Sequence, residues 1–121
     1  MEKYNKAIGN FGERKAATYL RKKGYKILDT NFFIRGGELD IIAEKDSYIV
    51  FVEVKTRQSR DFGTGAEAVA YNKQMRMTKA AQVYLMNKGE TNVRFDVIEV
   101  YAKPFLGGFR ATEINHIENA F

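Results

Sequence analysis

Apolar side chains change their spacing along this chain, and each change marks an element. In residues 6–23, Glu13, Ala16, Ala17 and Leu20 fall at i, i+3, i+4 and i+7, one face of a helix. Arg21, Lys22 and Lys23 crowd its end, where cations suit the helix dipole, and Gly24 is the expected stop. Residues 25–34 carry Ile27, Leu28, Phe32 and Phe33 and predict a first strand, with Asp29-Thr30-Asn31 able to bend it. Arg35-Gly36-Gly37 then turns the chain into residues 37–57, GELDIIAEKDSYIVFVEVKTR, which read as two strands around the polar turn Glu44-Lys45-Asp46-Ser47. The stretch 56–65 is polar and glycine-containing and predicts a loop. Residues 67–88 predict a second helix with the stripe Met77, Ala81, Tyr84 and Leu85, closed by Gly89. A strand over 92–102, a connector over 104–108 and a last strand over 109–117 complete the chain. The order α-β-β-β-α-β-β predicts one α/β domain over residues 1–121, a mixed central sheet flanked by helices.

The hairpin deserves a count of its register. A two-residue turn at Asp46-Ser47 sets Lys45 opposite Tyr48. Continuing the pairing sets Asp40 opposite Glu53 and Glu38 opposite Lys55. With period-two alternation, Glu38, Asp40 and Ile42 share a face with Ile49, Phe51, Glu53 and Lys55. Val50, Val52 and Val54 make the other face wholly apolar, so the second strand is expected to be central and covered on both sides. Charges on such a strand are costly to desolvate unless paired or metal-bound. A scaffold explanation is a Glu38–Lys55 cross-strand ion pair, with Asp40 and Glu53 at the solvated end of the sheet. The functional explanation is a divalent-metal site, because directly opposed residues have Cβ atoms ~5 Å apart, near enough for two carboxylates to reach one ion.

Composition narrows the chemistry. The chain has 121 residues, no cysteine and a single histidine. That excludes disulfides, thiolate nucleophiles, Cys-ligated zinc and paired-histidine acid–base chemistry within one chain. His116 is expected as a surface or hydrogen-bonded residue rather than a ligand. No apolar run is long enough to span a bilayer and the N-terminus reads as no signal peptide, so a cytoplasmic, membrane-free protein is expected. Net charge is +5, unevenly spread. Residues 1–37 hold nine basic and three acidic side chains, residues 38–53 one and five, residues 54–94 eight and three, residues 95–121 two and four. An acidic centre between basic flanks suits a metal site that also holds a polyanion. Lys73, Arg76 and Lys79 recur at i, i+3 and i+6 as a basic helix stripe, either a solvated face or a track for a phosphate backbone. Arg57 and Arg60 are phosphate contacts or solvated loop charges, and Arg35 a lesser candidate of the same kind.

Asp40, twelve intervening residues and then Glu53-Val54-Lys55 resemble the D-x(n)-(D/E)-x-K signature of the PD-(D/E)xK, restriction-endonuclease-like nuclease superfamily, with Leu39 where the named proline would stand. Gly-Glu-Arg at 12–14, Gly-Glu-Leu-Asp-Ile-Ile at 37–42, Phe-Val-Glu-Val-Lys-Thr-Arg at 51–57 and Ile-Glu-Asn-Ala-Phe at 117–121 resemble the YraN-like family of small bacterial proteins over nearly the whole chain. The resemblance implies the superfamily's core fold and a Mg²⁺- or Mn²⁺-dependent nuclease. It implies Asp40 and Glu53 as metal ligands with the Val54 carbonyl, and Lys55 orienting water or stabilising charge. Periodicity alone leaves Glu13 either at the solvated end of its stripe or turned into the site; the resemblance implies the second. Glu13 and Glu38 would then position water or a second ion. Nucleic acid is the expected partner, DNA ahead of RNA, and dimers among relatives of the fold admit a homodimer. Two other classes fit the same residues: a binding module on a nuclease scaffold without turnover, and an interaction protein whose acidic cluster meets a basic partner.

Overall fold

The computed structural model describes residues 2–58 and 70–121. Its elements are α1 (Glu2–Lys22), β1 (Lys26–Ile34), β2 (Gly37–Lys45), β3 (Tyr48–Arg57), α2 (Tyr71–Leu85), β4 (Asn92–Phe105) and β5 (Gly108–Ile117), in the predicted order. The strands form one sheet in sequence order, β1-β2-β3-β4-β5. Neighbours are antiparallel except β3 and β4, which run parallel from Tyr48↔Asn92 to Arg57↔Tyr101. A parallel neighbour requires a crossover, and the segment containing α2 supplies it.

The two helices cover opposite faces. Ile8, Phe11, Ala16, Ala17 and Leu20 of α1 pack on Ile41, Ala43, Val50, Val52, Ile98 and Val100. Met77, Ala80 and Ala81 of α2 pack on Leu39, Ile42, Ile49 and Phe51. β3 is thus central and covered on both sides, as its two apolar faces predict. Two glycines let the helices come close. A Cβ at Gly12 would collide with the Thr56 side chain, and a Cβ at Gly37 would sit 2.5 Å from the Arg76 carbonyl oxygen. Each therefore brings a helix onto the hairpin strands where the acidic residues lie.

The β2–β3 turn is the predicted one: Asp46 and Ser47 have φ of 52° and 69°, the left-handed pair of a two-residue hairpin, and Lys45 pairs with Tyr48. Four expectations need correction. α1 begins at Glu2, not at residue 6. β3 continues through Thr56 and Arg57, which the polarity of 56–65 had put in a loop, because β4 offers them ladder partners. α2 spans Tyr71–Leu85 rather than 67–88 within the described residues. The stretch 104–108 is not a connector: β4 runs through Phe105, Pro104 pairs with Phe109, and only Leu106-Gly107 turns. Near the tip of a two-strand extension the lost proline N–H costs no interior ladder bond.

Candidate active site

Pairing between β2 and β3 runs from Lys45↔Tyr48 to Ile41↔Val52 and stops one residue short of the acids. Asp40 lies where the regular strand breaks. Asn31, beside it on β1, has φ 52°, and Leu39 and Ile42 both pack on the α2 side while Ile41 and Ala43 pack on the α1 side. Strict alternation along Glu38, Asp40 and Ile42 therefore does not hold. The slip frees the Asp40 carboxylate, whose Oδ2 accepts the Val54 N–H at 2.8 Å. A side chain thus takes a backbone donor where the β2–β3 pairing has ended.

Glu53 is buried, and its carboxyl lies within hydrogen-bonding reach of Asp40. Burial raises the Glu53 pKa, and the hydrogen bond and charge of Asp40 raise it further, to about 8, against the pull of Lys73 and Lys55. The crowding against Asp40 and the burial together make the Glu53 carboxyl resist ionisation near neutral pH. Asp40 and Glu53 do meet across the hairpin. Lys55, two residues further along β3, has its charge directed at the same pair.

Glu13 takes the second of its two expected dispositions. It is half-buried on α1 and lines a cavity of about 430 Å³ with Asn10, Arg14, Thr30, Asn31 and Ile41. Burial and then the charge of Asp40 raise its pKa, with a hydrogen bond from Asn31 opposing. Glu38 goes elsewhere than the expected cross-strand partner. Its carboxylate pairs with Lys73 at 2.8 Å and with Arg76 of α2, and those hydrogen bonds hold its pKa down to about 2. Lys73 also stands 3.4 Å from Glu53, bridging the two acids. Although burial alone would lower it, contact with Glu38, Glu53 and Asp40 raises the Lys73 pKa. Two members of the basic stripe therefore lie against the acidic residues, while Lys79 remains exposed beside Gly36.

Arg57 is not a solvated loop charge: its Nε is buried, 3.4 Å from the fully buried Glu99. Asn115 and the Tyr101 hydroxyl donate to Glu99 at 2.8 and 3.2 Å. Arg60 lies outside the described residues. Glu99 and Asp96, both fully buried on β4, were missed by pattern reading. The signal was present, since each is a charge inside an apolar strand, the same cue that singles out Glu53. His116 is hydrogen-bonded as expected, to Asp96 at 2.7 Å and to the Tyr19 hydroxyl at 3.2 Å.

The donor set suits a hard cation. Two carboxylates from adjacent strands meet, and the Val54 main chain is held against one of them. Among the described residues no three acidic or histidine side chains converge on one point.

The family profile described as "Uncharacterised protein family UPF0102" matches residues 12–100. The chain belongs to this family. UPF0102 is the YraN family of the restriction-endonuclease-like superfamily. A UPF0102 protein of Caldanaerobacter subterraneus subsp. tengcongensis is 49% identical over 124 residues, covering 100% of both chains. One of Alkaliphilus oremlandii is 50% identical over 97% of this chain and 99% of its own, and one of Syntrophomonas wolfei 48% over the same shares. Their names state the family and no activity. The matched region contains Glu13, Glu38, Asp40, Glu53 and Lys55. No helix among the described residues is long and apolar enough to cross a membrane.

Proposed function

We propose that this UPF0102 protein is a divalent-metal-dependent nuclease that hydrolyses phosphodiester bonds of DNA. The reading rests on one observation above all: the carboxyl groups of Asp40 and Glu53, brought from two strands, lie within hydrogen-bonding reach of each other, with Glu53 buried. A protein gains nothing in stability from such a pair, and a bound cation removes its cost.

Asp40, Glu53 and the Val54 carbonyl would hold Mg²⁺ or Mn²⁺. When bound, the cation supplies charge stabilisation at the phosphoryl oxygens and lowers the pKa of water. Glu53 must give up its proton for this, so binding is coupled to proton release. Lys55 faces the pair and would hold the attacking water or the developing phosphate charge. Glu13, across the cavity from α1, would orient water on the Asp40 side. Lys73 and Arg76 rest on Glu38 and would exchange that carboxylate for substrate phosphates. Lys79 and Arg60 would extend the backbone contacts, and Arg57 would act from its ion pair with Glu99.

A panel of single-stranded, duplex and branched DNA and of RNA, incubated with Mn²⁺, tests the reading. Cleavage that disappears in Asp40→Ala and Glu53→Ala, with unchanged circular dichroism, supports it. Retention of nucleic acid without cleavage by the wild type would make the protein a binding module instead, and full activity in either variant would remove the site.

A further inference from the structure

The β4–β5 hairpin carries residues that neither the fold nor the proposed site uses. β4 runs parallel to β3, and their pairing ends at Arg57↔Tyr101. β4 continues to Phe105, so the hairpin tip projects past the end of β3 toward which Glu53 and Lys55 lie. One side of the tip is braced on α1: Phe109, one rung below the apex, packs with its ring 5.6 Å from both Tyr4 and Phe11.

Three features of the tip are costly in a bare protein. Leu106 is 91% exposed at the apex, and Phe105 beside it is 47% exposed. Leu106 has φ 46°, followed by Gly107 at 79°, in a turn whose first position favours Asn, Asp or Gly over a bulky apolar side chain. Lys103 and Arg110, both exposed, stand directly opposite each other in the ladder, and like charges so placed repel. Arg110 also lies over the Phe105 ring, 5.5 Å from its centroid. Residues 103–110 contain no acidic residue. An anion between the two cations, with an apolar surface against the apex, relieves the repulsion and the exposure together.

We infer that this tip is a wedge for interrupted duplex DNA: Lys103 and Arg110 straddle a backbone phosphate while Leu106, supported by Phe105, fills the gap left by an unpaired or unstacked base. Apolar side chains inserted at base steps prefer sites where stacking is already broken. The substrate class is duplex carrying a bulge, flap or junction rather than continuous duplex, and the inference rests on the nuclease reading for its substrate. Phe105 lies eight residues beyond Val97, the ladder partner of Glu53, so the wedge stands roughly 26 Å from the acidic pair along the strand direction. At 3.4 Å per nucleotide that separation spans about eight nucleotides.

The test compares binding of the full chain, in EDTA, to a fully paired duplex and to one carrying a three-nucleotide bulge flanked by 2-aminopurine. Wild type is expected to bind the bulged duplex roughly five-fold or more tightly and to change the 2-aminopurine fluorescence. Leu106→Asn, whose side chain suits the left-handed turn and so spares the fold, is expected to lose the preference and the fluorescence change. Lys103→Ala with Arg110→Ala is expected to weaken both duplexes and flatten the salt dependence. With Mn²⁺, wild-type cuts are expected about eight nucleotides from the bulge. Equal wild-type binding to both duplexes, or an undiminished preference in Leu106→Asn, would overturn the wedge. Bulge preference without any cleavage would count against the nuclease reading alone; cleavage without preference would count against the wedge alone.

Discussion

Glu53 and Asp96 are buried carboxyl groups on neighbouring strands, one rung apart in the parallel ladder, and their surroundings have opposite effects. Val52 pairs with Asp96 and Glu53 with Val97, so the two acids point to opposite faces. Asp96 is fully partnered. Arg94 donates twice at 2.9 Å, His116 stands at 2.7 Å and the Asn119 N–H donates at 3.0 Å. Burial alone would raise its pKa; these hydrogen bonds outweigh burial and lower it. Glu53 has as its closest company another carboxyl group, with Lys73 at 3.4 Å, and its pKa rises. A buried acid satisfied by the fold is scaffold: Asp96 ties β4 to β5 and the C-terminal turn. A buried acid whose principal neighbour is a second acid has its ionised form disfavoured by the fold.

The comparison breaks most visibly under alanine. Asp40→Ala and Glu53→Ala are expected to lower Mn²⁺-dependent cleavage about 10³-fold or more while the chain stays folded, measured by initial rates beside thermal melts. Asp96→Ala is expected to do the reverse, costing about 3–5 kcal/mol of stability by stranding Arg94 and His116, measured by urea unfolding. A folded, fully stable Asp96→Ala would erase the distinction.

Glu53→Gln sharpens it. The folded protein holds the Glu53 proton more tightly than the unfolded chain does, with a folded pKa near 8 against an ordinary 4.5. The native advantage is therefore complete below pH 4.5 and lost as pH rises through 8. Glu53→Gln, lacking that ionisation, is expected to melt clearly above wild type at alkaline pH without metal, and near wild type at acid pH. An added divalent cation should close the gap by stabilising wild type only.

Glu38 gives the smallest effect and the opposite sign. Its pKa falls to about 2, so its contribution is present above 4.5 and lost as pH falls through 2. Because the Lys73 and Arg76 pairs lie near solvent, Glu38→Gln is expected to cost less than about 1 kcal/mol, and less still in high salt. A large, salt-independent loss in urea unfolding would place Glu38 with Asp96 as scaffold.

Much of this was legible before the fold was known. A charged turn with no apolar residue pinned the hairpin register, which the ladder keeps from Lys45↔Tyr48 to Ile41↔Val52 and which points Asp40 and Glu53 toward each other one residue further on. Element order followed from periodicity because both helix stripes are strict. What stayed hidden depended on tertiary neighbours. The slip in alternation at Asp40 comes with the left-handed Asn31 on the adjoining strand, which no pattern within β2 announces. Register set Glu38 opposite Lys55, with an ion pair between them as the scaffold alternative; Gly37 instead lets α2 close in and deliver Lys73 and Arg76 to Glu38. Pro104 read as a strand terminator because its place at a hairpin extension was not visible.

Titration calorimetry with Mn²⁺ near neutral pH, repeated in buffers of different ionisation enthalpy, tests the central claim most directly. Wild type is expected to bind the ion and release close to one proton, the one held by Glu53, and Asp40→Ala to bind none. No wild-type heat, or equal binding by Asp40→Ala, would contradict the account.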